Sequence, residues 1–281
     1  MNEVIVASAV RTAIGDFGGA LKDVPPCDLG ATVIRAALER AGVSGDEIGH
    51  VAVGHVINTE PRDMYLSRVA AMNAGIAKET PAFNVNRLCG SGLQAIVSAA
   101  QTILLGDAEI AIGAGAESMS RAPYIAPAQR WGARMGDSVM LDMMTGALSD
   151  PFGRMHMGVT AENVAAKFGI SRQDQDALAA ESHRRAAAAI EAGYFRDQIV
   201  PVVQKTRKGE VVFDTDEHVR RDVTADSLAG LKPVFQKENG TVTAGNASGL
   251  NDGAGALVLM NASVAATVSY THLTLPTILL V

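Results

Sequence analysis

Along the first 120 residues the apolar positions switch back and forth between two spacings. Residues 4–10 form a short apolar run suited to a strand covered on both faces. After a Gly-rich turn, Leu29, Val33, Ala36, Ala37 and Ala41 recur at helical spacing, and Gly42 closes the segment. Residues 50–56 read as a second strand and 65–74 as a helix led by Pro61 and Asp63. Residues 82–86 make a short strand running into Cys89-Gly90-Ser91-Gly92. Beyond it, Leu93, Ile96, Val97, Ala100, Ile103 and Leu104 mark one apolar helix face. Residues 108–115 return as a strand. This alternation predicts an α/β layered domain with a largely parallel sheet.

The texture changes near Ser118. Residues 119–150 are rich in Met, Arg, Gly and Pro without clear periodicity, as expected of an insertion wrapping the surface. Helices are predicted over 160–168 and 171–192. Ser171 and Asp174 supply a capping box for the second, Ile170 a staple residue, and Gly193 its end. Strands over 199–203 and 211–213 flank a basic turn, Lys205-Thr206-Arg207-Lys208-Gly209. A small-residue stretch, residues 244–249, precedes an apolar strand over 256–260. Residues 268–281 carry no charge and end in aliphatics. A final strand and a foreign junction both fit this tail, and the junction is the favoured reading.

The chain has 281 residues, 48% of them apolar, with a net charge of -6, which excludes a disordered chain and argues against a nucleic-acid surface. That length suggests roughly two domains. Two cysteines, Cys27 in an ordinary loop setting and Cys89, form no CxxC pattern and fit a reducing cytoplasm rather than a disulfide framework. Met1-Asn2-Glu3 lacks the basic start of a signal peptide, and no run reaching a membrane span of about 18 apolar residues is expected. Six scattered histidines offer no HExxH or Cys/His cluster, so no metal site is expected.

The sharpest chemical feature is Cys89, at the turn between a strand and the start of an amphipathic helix. Unpaired N–H groups and the positive helix end favour a thiolate there. The following glycines let a ligand approach the backbone and leave N–H groups to stabilise an oxyanion. Residues 90–95 also match the G-x-G-x-x-A dinucleotide fingerprint, with Glu109 at about the expected distance onward. Two strands precede it, however, whereas such fingerprints usually open the first βαβ unit. In residues 244–253, small side chains make room for a narrow ligand, with Asn246 and Ser248 as polar contacts. A tight turn between strands fits equally well. Arg220, Arg221, Lys205, Arg207 and Lys208 suit a polyanion, yet Asp214, Asp216, Glu217 and Asp222 dilute that field. His156 fits either a pocket wall or a packed core.

Five segments together resemble the thiolases, the acetyl-CoA acyltransferases, and most closely the bacterial β-ketothiolases that feed polyhydroxyalkanoate synthesis. They are residues 10–15 (VRTAIG), 86–92 (NRLCGSG), 115–120 (GAESMS), 156–163 (HMGVTAEN) and 245–253 (GNASGLNDG). The resemblance covers residues 1 to about 266. It implies that Cys89 accepts an acyl group from a thioester in a ping-pong reaction, serving 3-ketoacyl-CoA cleavage by CoA or the reverse condensation. It also implies a layered thiolase-like α/β fold. Residues 1–120 and 250–267 would form the first βαβαβαββ half, and 121–249 an inserted loop domain that covers CoA and supports oligomerisation. Positions matching the family's CoA contacts are Leu148, His156, Met157, Arg220, Ser227, Ala244, Ser248 and Leu250. No permanently bound cofactor is implied; coenzyme A and acyl-CoA are substrates, in a cytoplasmic homo-oligomer, dimer or tetramer, of fatty acid metabolism, with neither nucleic acid nor membrane as partner.

The family's second half normally supplies Asn-Glu-Ala-Phe, Gly-His-Pro and a second Cys-Gly motif. No histidine here precedes a proline, no cysteine follows Cys89, and His272 in the tail is no substitute. The expectation is an acyltransferase whose present residues form an inactive fragment. The alternatives are a non-catalytic acyl-CoA-binding or subunit-interaction protein and, more distantly, an NAD-dependent oxidoreductase.

Overall fold

The computed structural model describes residues 3–207 and 209–267. Lys208 and the tail from Val268, with the expected foreign junction, lie outside the described residues. In chain order the elements begin β1 Val4–Thr12, β2 Gly15–Asp16, α1 Pro26–Ala41, β3 His50–Gly54, α2 Leu66–Ala74, β4 Ala82–Val85, α3 Ser91–Leu105 and β5 Ile110–Ser118. They continue with β6 Tyr124–Ile125, β7 Leu141–Asp142, α4 Met143–Ala147, α5 Met157–Phe168 and α6 Arg172–Glu191. The last are β8 Ile199–Val200, β9 Val202–Thr206, β10 Gly209–Phe213, α7 Ala225–Ala229, β11 Asn251–Asn261 and α8 Ala262–Thr267. The chain divides into two compact units. Among the described residues, the first takes 3–122, Asp197–Glu217 and 251–267; the second takes Pro123–Arg196 and His218–Leu250.

In the first unit the sheet runs β4-β3-β5-β11-β1-β8, with β2 paired to β11. Helices cover both faces, as the alternating pattern predicts. On one face α1 and α2 close a core that includes Leu29, Val33, Ile34, Leu66, Ile112 and Val258. On the other, Ala95, Ala99 and Ile103 of α3 pack on Ala52, Ala111 and Leu259. Burying each large aliphatic side chain contributes about 1.5–3 kcal/mol. Helix α1 starts earlier than its apolar spacing suggests, because Pro26 needs no N–H partner in a first turn. It stops at Gly42, whose φ of 64° suits a residue without Cβ.

The sheet is mixed rather than largely parallel. Strands β3, β4 and β5 are parallel neighbours, but β11 runs antiparallel to both β5 and β1. A parallel neighbour requires a crossover; β11 follows a long insertion, so that constraint does not act on it. Residues 197–217, assigned by the sequence reading to the insertion, belong to this unit. There β8 pairs in parallel with β1, and Asp216 accepts two hydrogen bonds from Arg11, at 2.7 and 2.9 Å. The basic turn joins β9 to β10, where Lys205 sits opposite Glu210.

In the second unit, β6 and β7 pair within the segment lacking periodicity, and α4 follows. The Ser171–Asp174 capping box forms at α6 as predicted. The staple does not. Ile170 stays exposed because the fourth helical position is Gln175, whose side-chain amide donates to the Ile170 carbonyl instead.

Candidate active site

Cys89 is exposed on a turn that the strand–helix junction strains. Strand β4 ends at Val85, and Leu88 adopts a φ of +48°, a left-handed conformation that costs a residue with a Cβ about 1–2 kcal/mol. Two side chains hold it. The Asn86 carboxamide oxygen accepts from Leu88 N at 3.0 Å, closing an Asx turn. The buried Ser91 hydroxyl accepts from Arg87 N at 2.8 Å and donates to the Leu88 carbonyl at 2.6 Å. Helix α3 then begins with Gly90 as its N-cap, which has no side chain to occupy the first-turn amides. Arg87 places its guanidinium on that first turn through Gln94, at 2.7 Å. The turn therefore presents an exposed thiol at the start of a helix that carries no side-chain cap, a setting that suits attack on a carbonyl.

Glycines on the sheet bring α3 this close. A Cβ on Gly54 would lie 2.5 Å from the Ser91 carbonyl carbon, and one on Gly113 2.7 Å from Ile96 Cα. Ala95, Ala99 and Ile103, four residues apart, turn to the sheet. Gly54→Ala is expected to push back the helix start, lowering stability by about 1–3 kcal/mol and slowing Cys89 alkylation. A urea midpoint and timed labelling check both. An unchanged midpoint would contradict the close seating. Leu93, Val97, Leu104 and Leu105 stay exposed on α3. Contrary to expectation, one window, Leu88–Leu105, is long and apolar enough for a membrane span. The first-unit packing accounts for α3 as a helix laid on a sheet.

Cys27 does not occupy a loop. It lies in α1, fully buried, with its thiol donating to Asp63 at 3.4 Å. Burial first, then the hydrogen bond and charge of Asp63, push its pKa up to about 12.

All eight residues expected to contact CoA fall in the second unit. Leu148, His156 and Met157 come together: Met157 N donates to the Leu148 carbonyl at 2.8 Å, and the His156 ring stacks on Phe235. His156 is neither a core residue nor free of local duty. Its Nδ1 caps α5 by accepting from Gly158 N at 3.0 Å, which starts that helix three residues before the predicted 160.

Loop 241–249 is pinned by two buried carboxylates. Glu162 accepts from Thr241 N, Thr241 Oγ1 and Val242 N, while Asp176 accepts from Asn246 at 2.8 Å. Burial alone would raise the Glu162 pKa, but these hydrogen bonds outweigh it and hold it below the ordinary value. The Asn246 side chain thus serves the fold. Gly245 and Gly249 are small because Leu228, Leu231 and His218 lie against them. Ala244 and Ser248 remain exposed on this fixed loop, and Leu250 is half-buried. Ser227 closes the capping box of α7 with Thr224. Arg220 is exposed; its backbone N–H donates to His183 Nδ1, and its guanidinium has no partner among the described residues. Arg221 reaches Glu191 at 3.3 Å.

Residues 4–263 match the sequence profile of the thiolase N-terminal domain. The chain belongs to the thiolase family. It is 72% identical over 258 residues to the β-ketothiolase BktB of Cupriavidus necator, covering 92% of this chain and 66% of that protein. An acetyl-CoA acetyltransferase of Chromobacterium violaceum is 51% identical over 261 residues, with the same coverage of 92% and 66%. This thiolase chain therefore spans just under two thirds of the length of those relatives. Among solved structures it superposes on the Bacillus anthracis acetyl-CoA acetyltransferase with a TM-score of 0.93 at 45% identity, covering 97% of this chain and 68% of that one. Human mitochondrial 3-ketoacyl-CoA thiolase in complex with CoA gives 0.91 at 40%, covering 96% and 68%. The layered thiolase fold is thereby established for the part present.

Sequence reasoning missed Asn86 and Ser91 as the residues that hold the turn. The signal was present: Asn two residues before the strained position closes an Asx turn, and Ser three residues after it bonds back.

Proposed function

We propose that this thiolase chain carries the nucleophile and the CoA-covering segment of a β-ketothiolase. The observation that carries the reading is Cys89 on its clamped turn at the uncapped start of α3. In cleavage, the Cys89 thiolate attacks the C3 carbonyl of a 3-ketoacyl-CoA. The C2–C3 bond breaks, acetyl-CoA leaves as its enolate and takes up a proton, and the shortened acyl group stays on Cys89. The thiol of a second CoA, on losing its proton, attacks that thioester and releases acyl-CoA. Condensation runs these steps backwards, beginning with acyl transfer from acyl-CoA to Cys89.

Residues 121–249 would cover CoA and take part in a homo-oligomer, with Leu148, His156, Met157, Arg220, Ser227, Ala244, Ser248 and Leu250 as contacts. The CoA complex of the human relative and the exposed Arg220, Ala244 and Ser248 support this. A role connected to polyhydroxyalkanoate synthesis rests on the resemblance of the five motifs to the bacterial β-ketothiolases. Two free cysteines support a reducing, cytoplasmic setting. Residues 1–281 alone would accept an acyl group without sustained turnover.

Mixing the chain with acetyl-CoA is expected to release up to one CoA thiol per chain and then stop, as acyl-enzyme accumulation requires. Equal release by Cys89→Ala would remove the nucleophile assignment. Binding without release would favour an acyl-CoA-binding protein. In a full-length version, Arg220→Ala is expected to weaken CoA binding by about 1–3 kcal/mol, the scale of a hydrogen bond to a charged group. A raised KM for CoA at nearly constant kcat is the expected signature of uniform binding. Collapse of kcat at saturating CoA would place Arg220 in the chemistry instead.

A further inference from the structure

The Cys89 turn is braced from the side of β5. After β3, residues 55–57 cross the end of β5 and are fastened to it three times. His55 Nδ1 lies 2.9 Å from the Ala116 carbonyl. Val56 N donates to Glu117 Oε2 at 2.9 Å, and Ile57 N donates to Glu117 Oε1 at 3.1 Å. The same segment holds the strand that leads into the cysteine. His55 N donates to the Val85 carbonyl at 3.1 Å, and the Val56 carbonyl accepts a longer bond, 3.4 Å, from Asn86 Nδ2. The other end of that Asn86 side chain accepts from Leu88 N, the residue before Cys89.

We propose that Glu117 is a positioning residue for Cys89, acting through Val56 and Asn86 on the strained Leu88; this rests on Cys89 being the acyl acceptor. Each carboxylate oxygen fixes one backbone amide, so Glu117 sets both the place and the tilt of residues 56–57. Stability alone is a poor account of the arrangement. Burial pushes the Glu117 pKa up. Beside it, 3.4 Å from Oε1, His55 is buried with no hydrogen-bond partner for its Nε2 among the described residues. Replacing a buried charged pair by apolar side chains of similar volume is often neutral or stabilising. What the carboxylate supplies is geometry: two anchored amides, one anchored carbonyl, and a fixed Asn86.

The test is timed iodoacetamide labelling of the 281-residue chain, with Cys89 and Cys27 followed separately by peptide mapping. Glu117→Gln leaves one acceptor oxygen where two are needed. It is expected to slow Cys89 labelling by about fivefold, the scale of one lost hydrogen bond, while buried Cys27 stays protected. Loss of a negative charge would by itself favour the thiolate and speed labelling, so slowing reports position. Asn86→Ala, at an exposed residue, cuts the same brace. It is expected to slow Cys89 at least as much, and the double variant to be no slower than Asn86→Ala alone. Labelling of Cys89 that is unchanged or faster in Glu117→Gln would overturn the proposal. So would Cys27 becoming reactive in that variant, because that is general loosening of the core. If Glu117→Gln does not fold, unchanged labelling in Asn86→Ala overturns it equally. Failure of the underlying reading looks different: unmodified protein would then label Cys89 no faster than Cys27.

Discussion

Brief iodoacetamide treatment is expected to modify Cys89 and leave Cys27 intact. With its pKa pushed up to about 12 by burial and Asp63, Cys27 holds about 10³-fold less thiolate at neutral pH than an ordinary thiol. It is also 0% exposed, so the reagent reaches it only when α1 opens. Cys89 faces solvent at the uncapped start of α3. Peptide mapping after short exposure decides the matter, and the expected ratio of rates is at least about 10³. Preferential modification of Cys27 in folded protein would contradict both its burial and the site assignment.

The second large effect concerns turnover. Residues 1–281 are expected to cleave acetoacetyl-CoA no faster than a single acylation of Cys89 allows. Residues 1–266 joined in frame to the second half of a related thiolase should turn over steadily. Cleavage needs a base to generate the thiolate and another to deprotonate the incoming CoA thiol. Each positioned base contributes about 10²–10⁴-fold. Among the described residues no side chain hydrogen-bonds to the Cys89 thiol, and His55 points its Nδ1 to a backbone carbonyl. The short chain also leaves Leu93, Val97, Leu104 and Leu105 of α3 uncovered, so it should aggregate more readily than the joined protein. Steady cleavage at comparable rates by both would contradict the claim that the short chain lacks essential machinery.

Features set by short-range chemistry were legible in the sequence. The Ser171–Asp174 capping box, the glycine end of α1 and the strand-turn-helix around Cys89 each depend on residues within a few positions of one another. Features set by distant partners were not. The antiparallel course of β11 depends on which strands it meets after the insertion, and its apolar pattern is the same either way. Cys27 read as a loop residue because its burial comes from α2 and from Asp63, 36 positions away. The part Asn246 plays in the fold was hidden because Asp176, 70 positions away, could not be seen to claim it. His156 shows a third case: a histidine can cap a helix with Nδ1, but few sequence patterns advertise it.

The most direct test of the account is to find the acyl group. The 281-residue chain is incubated with acetyl-CoA, quenched in acid, digested, and the peptides holding Cys89 and Cys27 are weighed. One acetyl group on the Cys89 peptide, removed by hydroxylamine and missing from Cys89→Ala, is the predicted result. An unmodified Cys89 peptide from folded protein that binds acetyl-CoA, or acetylation confined to other residues, would contradict the claim that Cys89 is the acyl acceptor.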